Sequence, residues 1–123
     1  TQVPFNKKYQ KAAQRMIRQR RFIQCDVFSS FATKGNGLAV VNDADDLSTA
    51  QMQSFAAWTN LAETTFILEP DDPFADYKLR IFTPVREMLF AGHPTLGSCA
   101  ASQRWGGQPK AKILLFRNVA LVW

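Results

Sequence analysis

The stretch Phe90-Ala91-Gly92-His93-Pro94-Thr95-Leu96-Gly97-Ser98 decides how the rest of this 123-residue chain is read. It leaves apolar sequence, turns at Gly92 and enters a helix through Pro94. The N–H that proline lacks would have no intrahelical partner in the first turn. Leu96, Gly97, Cys99, Ala100 and Ala101 are small or apolar, and no charge appears before Arg104. A helix apolar on all sides predicts burial. Its free N-terminal amides and the positive end of its dipole predict a mouth suited to an anion such as a carboxylate. His93, the single histidine of the chain, sits at that mouth. On its own, the stretch reads equally as a plain helix start with a surface histidine. Gly106-Gly107 and Pro109 predict that the helix stops near Trp105.

Working outward, Tyr77, Leu79 and Ile81 alternate with Lys78, Arg80 and Phe82, the period of a half-buried strand. Thr83-Pro84 turns the chain, and Glu87 to Phe90 leads into the opening stretch. Phe22 to Phe28 is rich in β-branched and aromatic residues and predicts a first strand. Thr33-Lys34-Gly35-Asn36-Gly37 follows as a turn, in which Gly and Asn are expected to take positive φ. Leu38 to Asn42 resumes an extended run, so the two strands are expected to form a hairpin. Ser48 predicts the N-cap of a helix over 49–59. Met52, Phe55, Ala56 and Trp58 are expected to turn its apolar face to the core. Asn60-Leu61-Ala62-Glu63-Thr64-Thr65-Phe66-Ile67-Leu68 reads as a helix exit feeding a β-branched strand, with Glu63 at the junction. Taken alone, Glu63 reads as well as an exposed carboxylate. Pro70-Asp71-Asp72-Pro73 supplies a loop, and Ile113 to Phe116 predicts a further strand. Five or six strands and two helices in this order predict an α+β fold without repeats.

The chain is long enough for one domain with a modest core. Its net charge of +5 is unevenly placed. Residues 1–21 hold seven cations and no acid, leaving eight cations against all ten acids, a net of −2, for residues 22–123. The basicity belongs to an N-terminal extension over 1–21, with a helical pattern from Tyr9 to Ile17. Such a segment suits a membrane-surface, nucleic-acid or organelle-targeting arm. Met16 as a natural start, with the preceding residues an upstream extension, is the plainer reading. The acidic body argues against nucleic acid as its partner, and no apolar run is long enough to span a membrane. Cys25 and Cys99 lack metal or redox spacing and predict two small buried hydrophobes in a reducing, cytoplasmic compartment. No motif predicts a metal or an organic cofactor.

Several separated segments together resemble the PhzF-like (phenazine biosynthesis) isomerases. They are Phe22 to Phe28, the Lys34-Gly35-Asn36 turn, Asn60 to Phe66, Arg80-Ile81-Phe82-Thr83-Pro84 and Ala91 to Gly97, in the family's order and spacing. The resemblance runs from about Arg21 to Gly107. It implies membership of the diaminopimelate epimerase-like superfamily, whose enzymes have two similar halves, each a curled β-barrel around a central helix. Residues 22–123 would then be an N-terminal half-domain, with the active site in the cleft between halves. By the same resemblance Glu63 is the general acid/base and His93 assists binding and proton movement. Gly92, Pro94 and Thr95 would form the substrate-binding helix start.

Moving a proton beside a carbonyl or double bond needs a base within hydrogen-bond reach of the reacting carbon. The related racemases use a cysteine pair; Ala91 occupies the position before Gly92 where such a thiol would stand. Three departures from the family pattern stand out. Ala62 replaces the usual serine, residues 85–89 read Val-Arg-Glu-Met-Leu, and the family enzyme is roughly twice as long. Two functions are therefore expected in competition. One is an isomerase of a small carboxylic acid, with a homodimer replacing the two halves. The other is a non-catalytic, truncated half-domain that dimerises or binds a small acid.

Overall fold

The computed structural model of the protein describes residues 18–108 and the backbone of 116–117. Its elements are β1 (Phe22–Val27), β2 (Asn36–Val41), α1 (Thr49–Thr59), β3 (Glu63–Leu68), β4 (Tyr77–Phe82), β5 (Glu87–Met88), α2 (Gly92–Arg104) and β6 (Phe116–Arg117). The expected helix from Tyr9 to Ile17 and all but the last residue of the strand from Ile113 to Phe116 lie outside the described residues.

The strands form one mixed sheet in the order β1-β2-β3-β4-β5, with β6 beside β4. β1 and β2 are the expected antiparallel hairpin, in register from Phe22↔Val41 to Val27↔Asn36. β2 and β3 are parallel, a pairing that needs a crossover, and α1 supplies it. β3 and β4 return antiparallel, from Thr64↔Phe82 to Leu68↔Lys78. The Thr83-Pro84 turn closes with the Thr83 N–H donating to the Arg86 carbonyl at 2.8 Å. That turn lays β5 antiparallel on the Ile81–Phe82 end of β4, while β6 pairs parallel at Tyr77–Lys78. Among the described residues this sheet is open, with β1 at one edge, and does not close into a barrel.

The period of two sorts the core into two layers. On one face Leu38, Val40, Ile67, Tyr77, Leu79 and Ile81 pack with Ala101 of α2. On the other, Val41, Phe66 and Phe82 pack with Met52 and Ala56 of α1. Phe66 and Phe82 meet edge to face at 5.5 Å between centroids. Phe82 was expected on the outward side of its strand with Lys78 and Arg80, but α1 covers that side there and buries it. Trp58 moves the other way: expected in the core, it is 79% exposed. It lies about 200° around the helix from Ala56, where its ring meets that of Phe55, tilted by 35° at 5.8 Å.

The two helices begin differently. Ser48 caps α1 as expected, its hydroxyl accepting from the Gln51 N–H at 3.1 Å while Gln51 accepts from the Ser48 N–H at 2.9 Å. At α2 the N-cap is Ala91, in an extended conformation, and no side chain caps it. α2 is not apolar and buried all round either. Pro94, Thr95, Gly97, Ser98 and Ala101 face the sheet, and Leu96, Ala100 and Arg104 are exposed.

The residues before β1 are tied to the loop ahead of α1. Arg20 donates to both carboxylate oxygens of Asp46 and to the Asp43 carbonyl, and Arg21 pairs with Asp43 at 3.4 Å. Among the described residues no helix is long and apolar enough to cross a membrane.

Candidate active site

Glu63 and His93 are thirty positions apart, and their meeting follows from how α2 lies on β3. Two contacts fix that register. Gly97 lets the helix approach the sheet closely: a Cβ there would sit 2.5 Å from Leu38 Cδ2 and 3.0 Å from Val27 Cγ2. Beside it, the hydroxyls of Ser98 and Thr65 are 2.7 Å apart, and Ser98 also donates to the Pro94 carbonyl at 2.6 Å. From Thr65 back to Glu63 is two strand residues, about 6.6 Å. From Ser98 back to His93 is five helical residues, about 7.5 Å. The two steps are nearly equal along adjacent axes, and both side chains lie on the facing surfaces. They therefore arrive together.

His93 Nε2 lies 2.7 Å from Glu63 Oε2, and the two side chains are only 11% and 14% exposed. The contact has the distance of an ion pair but not the alignment of a hydrogen bond. Neither buried atom has another hydrogen-bond partner among the described residues. Buried polar atoms without a hydrogen bond are costly and rare, and a site awaiting a ligand is one situation that tolerates them.

The helix start supplies a second feature. Pro94 has no N–H, and Thr95 spends its N–H and its hydroxyl on the Ala91 carbonyl, at 3.3 and 2.8 Å. Pro94 and Thr95 are both buried against the sheet. That leaves the amides of Gly92 and His93 at the positive end of the dipole, with no acidic residue in the first turn. A Cβ added at Gly92 would meet nothing within 4 Å. Of the five expected site residues, Glu63 and His93 are in contact, Gly92 and His93 open α2, and Pro94 and Thr95 are buried beside them.

One neighbour of His93 was read from the sequence only as the end of the first strand, which stops instead at Val27. The ring of Phe28 lies 6.2 Å from the His93 ring, tilted by 58°. Phe28 follows β1 in the left-handed region, at φ 64°. No propensity signals this, because a bulky residue is disfavoured there. Thr33 also has positive φ (67°), whereas Gly35, Asn36 and Gly37, expected to take it, do not. Gly35 is needed for proximity instead: a Cβ there would lie 2.3 Å from both Asp26 Oδ1 and the Val27 carbonyl. Behind Phe28, a groove of about 540 Å³ runs between β1 and α2, lined by Ile23, Cys25, Leu96 and Ala100 among others.

Burial pushes both thiols up, with nearby Asp26 adding for Cys25 and Asp76 for Cys99. Thiols kept protonated in this way are poor bases and nucleophiles. Among the described residues no three His, Cys, Asp or Glu side chains gather as metal ligands.

A profile of the phenazine biosynthesis-like family PhzC-PhzF matches residues 25–119. The chain belongs to that family. Antisense-enhancing sequence 1 of Schizosaccharomyces pombe is 57% identical over 83 residues, which are 68% of this chain and 28% of that protein. The trans-2,3-dihydro-3-hydroxyanthranilate isomerase of Pseudomonas chlororaphis is 50% identical over 80 residues, 65% of this chain and 28% of that one. Among solved structures, one described as a predicted epimerase from Pseudomonas aeruginosa superposes with a TM-score of 0.72 at 38% identity. That match covers 85% of this chain and 36% of the other. The chain therefore spans between 28% and 36% of the length of these PhzF-like relatives.

Proposed function

We infer that this chain carries the acid/base half-site of a PhzF-like isomerase that moves a proton on a small carboxylic acid without a cofactor. The observation that carries this reading is the buried 2.7 Å contact between Glu63 and His93 beside an uncapped helix start. The substrate carboxylate is taken by the amides of Gly92 and His93, over the floor made by Pro94 and Thr95. Glu63 removes a proton from one ring carbon and returns one to another, so the formula of the substrate is unchanged. His93 holds the Glu63 carboxylate in place and shares its proton between the two steps. The names of relatives such as the Pseudomonas chlororaphis isomerase support the reaction class.

Closing the sheet into a barrel around α2, and walling the mouth on its open side, belong to the same reading. A second copy of the chain can supply that wall in a homodimer. The second reading is a half-domain that binds an acid without turning it over.

The deciding experiment is proton exchange in deuterated water with trans-2,3-dihydro-3-hydroxyanthranilate, alongside native mass. Glu63→Gln is expected to lower the rate by about 10²–10⁴-fold with the fold intact, the range for a positioned acid/base group. Unchanged turnover in that variant removes Glu63 from the mechanism. A wild-type chain that binds the acid but exchanges no proton leaves the binding half-domain.

A further inference from the structure

We propose that Phe28 is the specificity-determining wall of this site, selecting flat, unsaturated ring acids over saturated or open-chain ones. The proposal rests on the carboxylate site described above and adds the class of ring that the site accepts.

Phe28 is 69% exposed although it is one of the larger apolar side chains. Its backbone is held at φ 64°, which costs a bulky residue energy that glycine would not spend. A core role would explain the residue, and a turn role would explain the angle. An exposed phenylalanine in a left-handed turn serves neither. What the angle achieves is direction: it brings the ring to within 6.2 Å of His93, the spacing of an aromatic pair.

The surrounding loop over-determines that placement. Asp26 Oδ2 accepts from the Lys34 N–H at 3.1 Å, and Ser29 Oγ accepts from the Phe31 N–H at 3.0 Å. Gly35 presses so closely on Asp26 and the Val27 carbonyl that no side chain fits. A ring acid whose carboxylate sits on the Gly92 and His93 amides extends from the imidazole toward the face of Phe28. Flat rings stack on such a face, and puckered rings meet it at a few atoms only.

The single histidine makes the test direct. The His93 imidazole signals of isotope-labelled protein are followed during titration with sodium benzoate and with sodium cyclohexanecarboxylate. The two have the same charge and carbon count and differ in flatness. The wild type is expected to bind benzoate about 3–10-fold more tightly, the gain of one aromatic contact. Phe28→Leu should lose that preference and shift the His93 signals through the missing ring current, while Phe28→Tyr keeps both. Phe28→Gly should lose the preference and raise the melting temperature by relieving the backbone.

A wild type without preference, or a Phe28→Leu variant that keeps it, overturns the wall and leaves the carboxylate site standing. A wild type that responds to neither acid overturns both.

Discussion

The two helices lie on opposite faces of one sheet and start in opposite ways. α1 begins with a complete capping box, in which Ser48 and Gln51 satisfy each other's backbone. α2 begins on Ala91 with no side-chain cap. A cap is worth about 1 kcal/mol and is within easy reach of mutation. An end left open beside two buried, unsatisfied polar atoms is the more informative of the two. The α1 face holds the crossover in place, and the α2 face keeps donors free for something that arrives.

The contrast can be broken most strongly at the floor of the open side. Gly97→Val would drive its side chain into Leu38 and Val27, displacing α2 from β3. The expected cost is about 2–3 kcal/mol, the scale of overpacking a filled core. Thermal unfolding reads that cost, and the His93 signals should report the parted Glu63 pair. A stable Gly97→Val protein with those signals unchanged would mean that the register is set elsewhere.

A sharper test exchanges the character of the two ends. Ala91 already has the extended backbone of an N-cap, so Ala91→Asp can offer its carboxylate to the first amides of α2. It is expected to stabilise the protein by about 1 kcal/mol while weakening benzoate binding about five-fold or more by occupying the dipole end. Ser48→Ala should do the converse, costing about 1 kcal/mol with benzoate affinity unchanged. Urea denaturation and titration on the same samples separate the outcomes. Equal effects of the two variants on binding would erase the distinction drawn between the helices.

The smallest effect is expected near the closed end. The hydrogen bond from Arg20 holds the Asp46 carboxyl well below the usual carboxylate range, with the charges of Arg20 and Arg18 adding to it. A carboxylate whose folded pKa is depressed stabilises the fold above its unfolded pKa, near 4, and loses that contribution as pH falls through the folded value. Asp46→Asn should therefore be slightly less stable than wild type at pH 7, and the two should converge in strong acid. Asp46 is half-exposed, so solvent keeps the difference small. Denaturation midpoints across the acid range check it, and a gap that widens on acidification would contradict the sign.

Elements with a strong local signal were legible in the sequence: the hairpin, the Ser48 cap, the alternation of β4 and the apolar run of α2. What was not legible depends on which face a later element covers. Phe82 is buried because α1 lies over it, and Trp58 is exposed because the sheet lies on the far side of its helix. The turn residues misled for a related reason, since Gly35 is required by the neighbouring strand and the positive φ fell to Phe28 and Thr33. His93 at the helix start and Glu63 at the strand entry were read from the sequence, and their roles came from the family resemblance. Their contact depends on the register of a helix on a strand, to which no periodicity refers. Phe28 was read as a strand residue, and nothing in the sequence placed its ring beside His93.

The late position of α2 in the chain has a bearing on biogenesis. By the time residue 82 has left the ribosome, the hairpin, the crossover and β4 can assemble and cover one face of the sheet. Among the described residues, the other face, with Leu38, Val40, Leu79 and Ile81, has only α2 to lie against, and α2 is complete once residue 104 emerges. During that interval the nascent chain presents a sticky apolar sheet with a free edge at β1, the kind of surface that draws chaperones or neighbouring chains. The same docking event that ends this exposure brings His93 to Glu63, so the proposed acid/base pair forms only as the chain ceases to be a hazard.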